Sequence, residues 1–219
     1  MNTKIETFSG KLFDYLAPRS LDMDAESIAH AIGNICRFTG HCRIFYSVAE
    51  HSILCALMAK DRGFNRRIQL LALIHDAHEA YVGDINTPLK LALNGNFAEI
   101  DADAFLLACV ALGMTPPDAD ENKIVKQIDL IALATEAYYI MPTQGRGFNL
   151  QESPDLSRQL LYLAPLEAGN AWLDTFTQMM NGVSGSQASR GGSDVVMTEP
   201  TPQPGQRMDK TTTAPTTRA

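Results

Sequence analysis

The sequence lacks any apolar run close to the roughly 20 residues that cross a bilayer, and its first residues lack the pattern of a signal peptide. We therefore expect a cytoplasmic protein with no membrane partner. It also lacks an excess of positive charge, because 18 Lys and Arg against 25 Asp and Glu give a net charge of −7. This balance argues against DNA or RNA as a partner. An anionic small molecule would need a local basic cluster.

Cysteine is scarce, and the four cysteines form neither a CxxC pair nor a zinc-finger spacing. Cys55 and Cys109 fall within apolar helical patterns, where a reduced cysteine packs as a small hydrophobe. We expect all four to be structural thiols. No repeat of 20–50 residues is evident either.

Helical periodicity dominates what is present and predicts an all-α domain over residues 1–182. Two short aromatic-rich segments around Ser9-Gly10 predict a small β-hairpin at its start. Ser47 and Glu50 form a capping-box pattern, and Asn65 suits the N-cap of the next helix. Helices are expected at about 24–36, 47–61, 65–82, 89–93, 97–112, 120–141, 154–163 and 165–181. Residues 183–219 hold no Phe, Trp, Tyr, Leu or Ile, which predicts a disordered, low-complexity tail.

The chemistry concentrates where the apolar run 70–74 ends in His75 and Asp76. Buried unpaired charge is costly, so a core helix carries such groups when something neutralises them, and a divalent metal ion would do so. His51 begins the preceding helix, and an antiparallel helix pair would bring it beside His75. Asp129 interrupts an apolar stretch of a later helix. We predict His51, His75, Asp76 and Asp129 as ligands of one divalent transition metal: Co, Mn, Zn, Fe or Ni.

This H…HD…D pattern resembles the HD-domain phosphohydrolases. The E-x4-D spacing of Glu79 and Asp84 and the T-P-x-K motif at 87–90 are similar to one branch of them, which contains 5′-deoxynucleotidases and viral dATP triphosphohydrolases. The resemblance covers about residues 1–182. It implies an HD-domain helical bundle around a metal site, with the small N-terminal β-hairpin, and a homo-oligomer.

The resemblance also implies roles for further residues. Glu79 and Asp84 match acids that organise the attacking water and handle the proton of the leaving group. Arg37 and Lys90 match phosphate-contacting positions and supply the local positive charge that an anionic substrate needs. Phe38, where relatives often carry Trp, and Pro88 match positions beside the base or sugar. The Phe at position 38 leaves base selectivity open.

The resemblance implies the conversion of dATP and water to deoxyadenosine and triphosphate, with Mg²⁺ accompanying the phosphates as a further expectation. One alternative is a 5′-deoxynucleotidase that acts on deoxynucleoside monophosphates. Another enzyme class with the same metal is a cyclic- or alarmone-nucleotide hydrolase. A nucleotide-binding regulator with a vestigial site, or a protein–protein module that uses the tail, is the non-enzyme alternative. A competent residue at every ligand position counts against a vestigial site.

Overall fold

The computed structural model describes residues 2–95 and 97–182, and it opens with the predicted hairpin. Strand β1 (Lys4–Glu6) pairs antiparallel with β2 (Leu12–Asp14), and Ile5 lies opposite Phe13. Phe13 is buried and packs against the ring of Tyr81. The hairpin therefore covers one end of the helical core. The predicted tail, 183–219, lies outside the described residues.

The other main elements of the described chain are helices, which confirms the prediction of an all-α fold with a small N-terminal hairpin. The helices are α1 (Ala25–Asn34), α2 (Val48–Asp61), α3 (Arg66–Ile74), α4 (Glu79–Val82), α5 (Thr87–Ala92), α6 (Ala98–Ala111), α7 (Ala119–Ile140) and α8 (Pro165–Asn181). Within the described ranges, no helix has the length and apolar character needed to span a membrane.

The helix-start signals in the sequence are confirmed. The Ser47 hydroxyl accepts from the backbone N–H of Glu50 at 3.1 Å, while the Glu50 carboxylate accepts from the N–H of Ser47 at 3.0 Å. Asn65 accepts from the N–H of Ile68 at 3.0 Å. These caps satisfy first-turn donors and fix where α2 and α3 begin. Because a short loop joins α2 and α3 and the two helices pack against each other, they run antiparallel, and the start of α2 lies beside the end of α3.

The prediction of one helix over 65–82 is wrong, because α3 ends at Ile74 and residues 75–78 form turns before α4. The Nδ1 of His75 folds back onto the carbonyl of Ala72 at 2.8 Å. The indole N–H of Trp172, from α8, donates to the carbonyl of Leu73 at 2.9 Å. These side chains satisfy carbonyls that a continuing helix would use.

The predicted helix at 154–163 is also wrong, since this segment has an irregular path. Its backbone donors bind side chains of other elements. The N–H of Asp155 donates to the Thr135 hydroxyl at 2.9 Å, and that of Leu163 donates to the Glu50 carboxylate at 2.8 Å. Long-range contacts therefore replace the i→i−4 bonds that a helix would make.

Helices α1 and α8 cross in close contact at two glycines. A Cβ on Gly33 would lie 2.5 Å from the carbonyl oxygen of Pro165, and one on Gly169 would lie 2.7 Å from that of Ala29. Both neighbours are backbone atoms, which cannot move without displacing a helix. The absence of these side chains lets the backbones of the two helices come into contact. Trp172, also on α8, is buried.

Replacing Gly33 with alanine should destabilise the protein by about 1–3 kcal/mol, measured by urea unfolding, because the added methyl overpacks this crossing. On a helix face with free space the same change would stabilise the protein by roughly 0.5–1 kcal/mol. The sign of the change in the free energy of unfolding therefore tests the close crossing. Gly147→Ala is the matched control, since its Cβ would meet only the Thr143 hydroxyl at 3.7 Å. A stability gain in Gly33→Ala would contradict the close crossing.

Candidate metal centre

Side chains from three helical elements converge at one point of the described chain. His51 comes from the first turns of α2, His75 and Asp76 follow α3, and Asp129 comes from the middle of α7. The Nε2 atoms of the two histidines lie 3.2 Å apart. From His51 Nε2, Asp76 Oδ2 lies at 3.4 Å and Asp129 Oδ1 at 3.2 Å; from His75 Nε2, the same atoms lie at 3.2 and 3.8 Å. The structure thus brings together all the residues that the sequence predicts as ligands.

Each histidine ring is oriented by a hydrogen bond from its Nδ1 atom. Glu136 Oε1 accepts from Nδ1 of His51 at 2.6 Å, and the carbonyl of Ala72 accepts from Nδ1 of His75 at 2.8 Å. When Nδ1 carries the proton of a neutral imidazole, Nε2 presents a lone pair. Two such lone pairs then face each other at 3.2 Å beside two carboxylates. This donor set fits a divalent cation.

The charges around these histidines are strongly coupled. Burial acts to lower the pKa of His75, but Asp76 and Asp129 outweigh it and hold that pKa well above its ordinary value. Burial acts to raise the pKa of Asp129, but hydrogen bonds from His51 and His75 hold it well below its usual range. Without a metal, protons on the imidazoles neutralise the carboxylates. Protons and a divalent cation therefore compete for the same atoms.

Cys55 is a further potential donor that the sequence analysis treated as a packing residue. With His51 and His75 it forms a group whose donor atoms lie within 4.8 Å of one another. Its sulfur lies 3.7 Å from Nε2 and 4.0 Å from Nδ1 of His51. Nearly equal distances to both ring nitrogens place the sulfur beside the ring, not on the line along which Nε2 points. The carboxylates are therefore the better partners of the two Nε2 atoms.

The predicted proton-transfer acids, Glu79 and Asp84, lie in the same electrostatic environment. Glu79 is buried, and its Oε2 has no hydrogen-bond partner among the described residues. Burial and the charges of Asp76 and Asp84 raise the pKa of Glu79 well above its usual value. Burial raises the pKa of Asp84, with Asp76 adding to the effect and Arg37 opposing it. The spacing of four residues between His75 and Glu79 would put both on one face of a continuous helix, but the helix breaks between them.

A cavity of about 420 Å³ opens from His75 and Asp76. Lys90, from α5, and Lys126, from α7, place two ammonium groups on its wall. Asp101 holds Lys90 at 2.8 Å and Nε2 of His78 at 3.2 Å. The rest of the lining is Gly95, Phe97, Ala98, Ala102, Phe105 and Asn122. Lys126 is likewise paired, with Asp129 at 2.7 Å. The wall therefore carries charges of both signs beside aromatic surface, and neither lysine is an unpaired cation.

The other predicted substrate contacts lie outside this lining. Arg37 is buried, and its Nε donates to Glu136 at 3.1 Å while its Nη1 lies 3.5 Å from Asp76. Phe38 follows in a left-handed conformation with φ of 55° and stacks on Phe148. Pro88 is exposed in the first turn of α5. Arg37 adjoins the metal centre, whereas the structure does not place Phe38 or Pro88 on the cavity wall.

Two further residues near the site, Glu136 and Lys126, were not predicted from the sequence, and both lie on α7. Glu136 follows Asp129 by seven residues and therefore shares its helix face. It is an acid within an apolar stretch, the signal that identified Asp129. Lys126 precedes Asp129 by three residues and bonds its Oδ2 at 2.7 Å. Nothing in the local sequence distinguishes Lys126 from an ordinary surface lysine.

Comparison with known proteins places this helical domain among relatives. No family model matches the chain. It is 34% identical to the uncharacterized protein YfdR of Escherichia coli K12 over 181 residues, 82% of this chain and 95% of YfdR. It is 36% identical to the uncharacterized protein RCAP_rcc00048 of Rhodobacter capsulatus over 139 residues, 60% of this chain and 70% of that protein.

A more distant similarity reaches a protein with a named activity. The chain is 29% identical to the 5′-deoxynucleotidase PM0747 of Pasteurella multocida over 128 residues, 47% of this chain and 66% of that protein. The match to YfdR is both longer and stronger, at 34% identity over 95% of its length, and on that match the chain belongs to the YfdR family.

Proposed function

We propose that this protein is a metal-dependent phosphohydrolase that cleaves the phosphoester bond of a deoxynucleotide. The observation that carries the proposal is the convergence of His51 and His75 Nε2 with Asp76 and Asp129 within 3.2–3.8 Å. An HD-type arrangement of this kind suits one divalent transition metal. The similarity to the 5′-deoxynucleotidase PM0747 supports the nucleotide class of substrate.

The chain's own residues divide the work around that centre. A bound divalent cation supplies Lewis acidity and lowers the pKa of its water from 15.7 toward ~7. His51, His75, Asp76 and Asp129 would hold the cation. Glu79 and Asp84 manage protons, since a carboxyl group whose pKa is raised keeps its proton and can donate it to a leaving oxygen.

The cavity lining supports a place for the substrate phosphate. Lys90 and Lys126 line the wall beside His75 and Asp76, where each is paired with an aspartate. Charge-assisted hydrogen bonds from such donors orient a phosphate and stabilise charge as the bond to the sugar oxygen breaks. Phe97 and Phe105, on the same wall, offer apolar surface to the nucleoside.

Two substrates fit this proposal. With dATP the products are deoxyadenosine and triphosphate, as the family resemblance implies, and the two lysines suit a phosphate chain. With a deoxynucleoside monophosphate the products are deoxynucleoside and orthophosphate, and the activity named for PM0747 favours that reaction. Both reactions release the deoxynucleoside and use the same residues.

A panel of deoxy- and ribonucleotides tests the proposal, each incubated with Co²⁺, Mn²⁺, Zn²⁺, Fe²⁺, Ni²⁺ or Mg²⁺ and analysed by mass spectrometry. Triphosphate from dATP supports the first reaction, and orthophosphate from dAMP supports the second. If only cyclic or alarmone nucleotides are turned over, the substrate class is that of those nucleotides and not deoxynucleotides. Absence of turnover with every nucleotide and ion would reject the enzyme.

Lys90→Gln should raise KM for the nucleotide by about tenfold, or ~1.4 kcal/mol, because a charge-assisted phosphate contact is lost. The kcat should change much less, since the predicted metal and proton-transfer residues are untouched. Lys123→Gln is the control, because Lys123 is also paired with an aspartate, Asp120, but is exposed and does not line the cavity. Equal KM values for both variants would remove Lys90 from the substrate site.

A further inference from the structure

Glu136 is buried on α7, two turns beyond Asp129, and bonds two groups of the centre at once. Its Oε1 accepts from Nδ1 of His51 at 2.6 Å, and its Oε2 accepts from Nε of Arg37 at 3.1 Å. A carboxylate with no exposure needs such partners, because burial of an unpaired charge is costly. Both of its oxygens are therefore committed to the site.

We propose that Glu136 is a positioning residue that sets metal affinity through His51 and fixes Arg37 beside Asp76. The proposal rests on the metal-dependent function above and assigns Glu136 no contact with metal or substrate. It acts on the orientation and basicity of one predicted ligand and on the placement of one cation.

The first effect is on His51. As acceptor of the Nδ1 proton, Glu136 holds the ring with Nε2 toward His75 and Asp129. A carboxylate in this position also increases electron donation from the imidazole to a metal. The corresponding partner of His75 is only a neutral backbone carbonyl, that of Ala72. His51 is thus the histidine whose donor strength depends on a charged neighbour.

The second effect is on Arg37. Its guanidinium uses Nε on Glu136 and lies 3.5 Å from Asp76 through Nη1. The Arg37 backbone is held as well, because its N–H donates to the carbonyl of Tyr46 at 2.9 Å. Glu136 therefore ties the turn at 37–40 to α7 and neutralises a buried cation near the predicted ligands.

Glu136→Gln in the full chain tests the proposal, because glutamine keeps the shape and an acceptor but removes the charge. The protein is titrated with Co²⁺ alone. Calorimetry measures the affinity, and visible absorption reports the coordination of the bound ion. We expect affinity 10–100-fold weaker than in the wild type, the usual cost of removing such a partner, and an altered spectrum. A purely structural role would lower the melting temperature without changing the spectrum of the bound ion.

Glu121→Gln is the matched control. Glu121 lies on the same helix and is also held by an arginine, Arg67, but it is fifteen residues from Glu136 and contacts no predicted ligand. Its Co²⁺ affinity and spectrum should equal those of the wild type. If Glu136→Gln fails to fold, the double variant Arg37→Met with Glu136→Gln removes both buried charges together and should fold with the same loss of affinity.

The outcomes separate the two claims. If the wild type binds Co²⁺ and the Glu136 variants bind it equally well with an unchanged spectrum, the role of Glu136 is wrong and the proposed function stands. If the wild type itself binds no Co²⁺, the metal centre is wrong and the role of Glu136 falls with it.

Discussion

Replacing Asp76 with asparagine should abolish tight binding of a divalent cation and lower deoxynucleotide hydrolysis at least about 10³-fold, a loss of about 4 kcal/mol. Asp76 Oδ2 lies 3.2 Å from His75 Nε2 and 3.4 Å from His51 Nε2. Asparagine keeps the shape but removes the negative charge that would balance a cation. Co²⁺ titration and turnover of dATP and dAMP measure the two effects.

Asp61→Asn is the control for this change. Asp61 also pairs with an arginine, Arg158, but it is exposed and contacts none of the predicted ligands. A surface pair of this kind contributes about 0–1 kcal/mol, so metal binding and turnover should be retained. Full turnover by Asp76→Asn would refute metal-centred chemistry. If neither the wild type nor Asp76→Asn shows turnover and the biological effect survives the change, the alternative of a nucleotide-binding regulator with a vestigial site would be favoured instead.

The approach of His51 to His75 could be predicted because its causes are local. Ser47 and Asn65 mark the starts of two consecutive helices, and a short loop makes the pair antiparallel. The start of the first helix then lies beside the end of the second. Asp129 was found by a different local signal, an acid in an apolar helix, and its distance to His51 is 3.2 Å.

The break after α3 could not be predicted, because one of its causes lies far away in the sequence. The apolar pattern continues through 75–82, and periodicity alone favours one helix. The Trp172 indole, 99 residues from Leu73, satisfies a carbonyl at the end of α3. The prediction of a helix at 154–163 is wrong for the same reason, since the backbone donors of this segment bind Thr135 and Glu50 on other helices.

The substrate side was predicted less completely than the metal side. Lys90 lies on the cavity wall, but its partner Asp101 and its neighbour Lys126 come from other helices. Their roles arise from tertiary packing and carry no local pattern. Glu136 could have been predicted by the signal that identified Asp129, because a spacing of seven residues keeps both acids on one helix face.

Glu79→Gln should lower kcat by about 10²–10⁴-fold, the usual contribution of a positioned proton donor or acceptor, while Co²⁺ affinity stays within a few-fold of the wild type. Glu79 is buried and its Oε2 lacks a partner among the described residues. Glutamine preserves its volume and removes only its ability to exchange a proton. A parallel loss of metal affinity would contradict this separation of roles.

The same variant has an independent signature in stability. Burial, Asp76 and Asp84 raise the pKa of Glu79 well above 4.5 in the folded, metal-free chain. The unfolded chain therefore loses this proton at lower pH than the folded chain, so Glu79 costs stability as pH rises above 4.5 toward the folded pKa. Relative to the wild type, Glu79→Gln should melt at a higher temperature at pH 8, and the difference should vanish near pH 4. Equal melting temperatures at both pH values would show that Glu79 is solvated, and a solvated carboxylate is a poor proton donor to a leaving group.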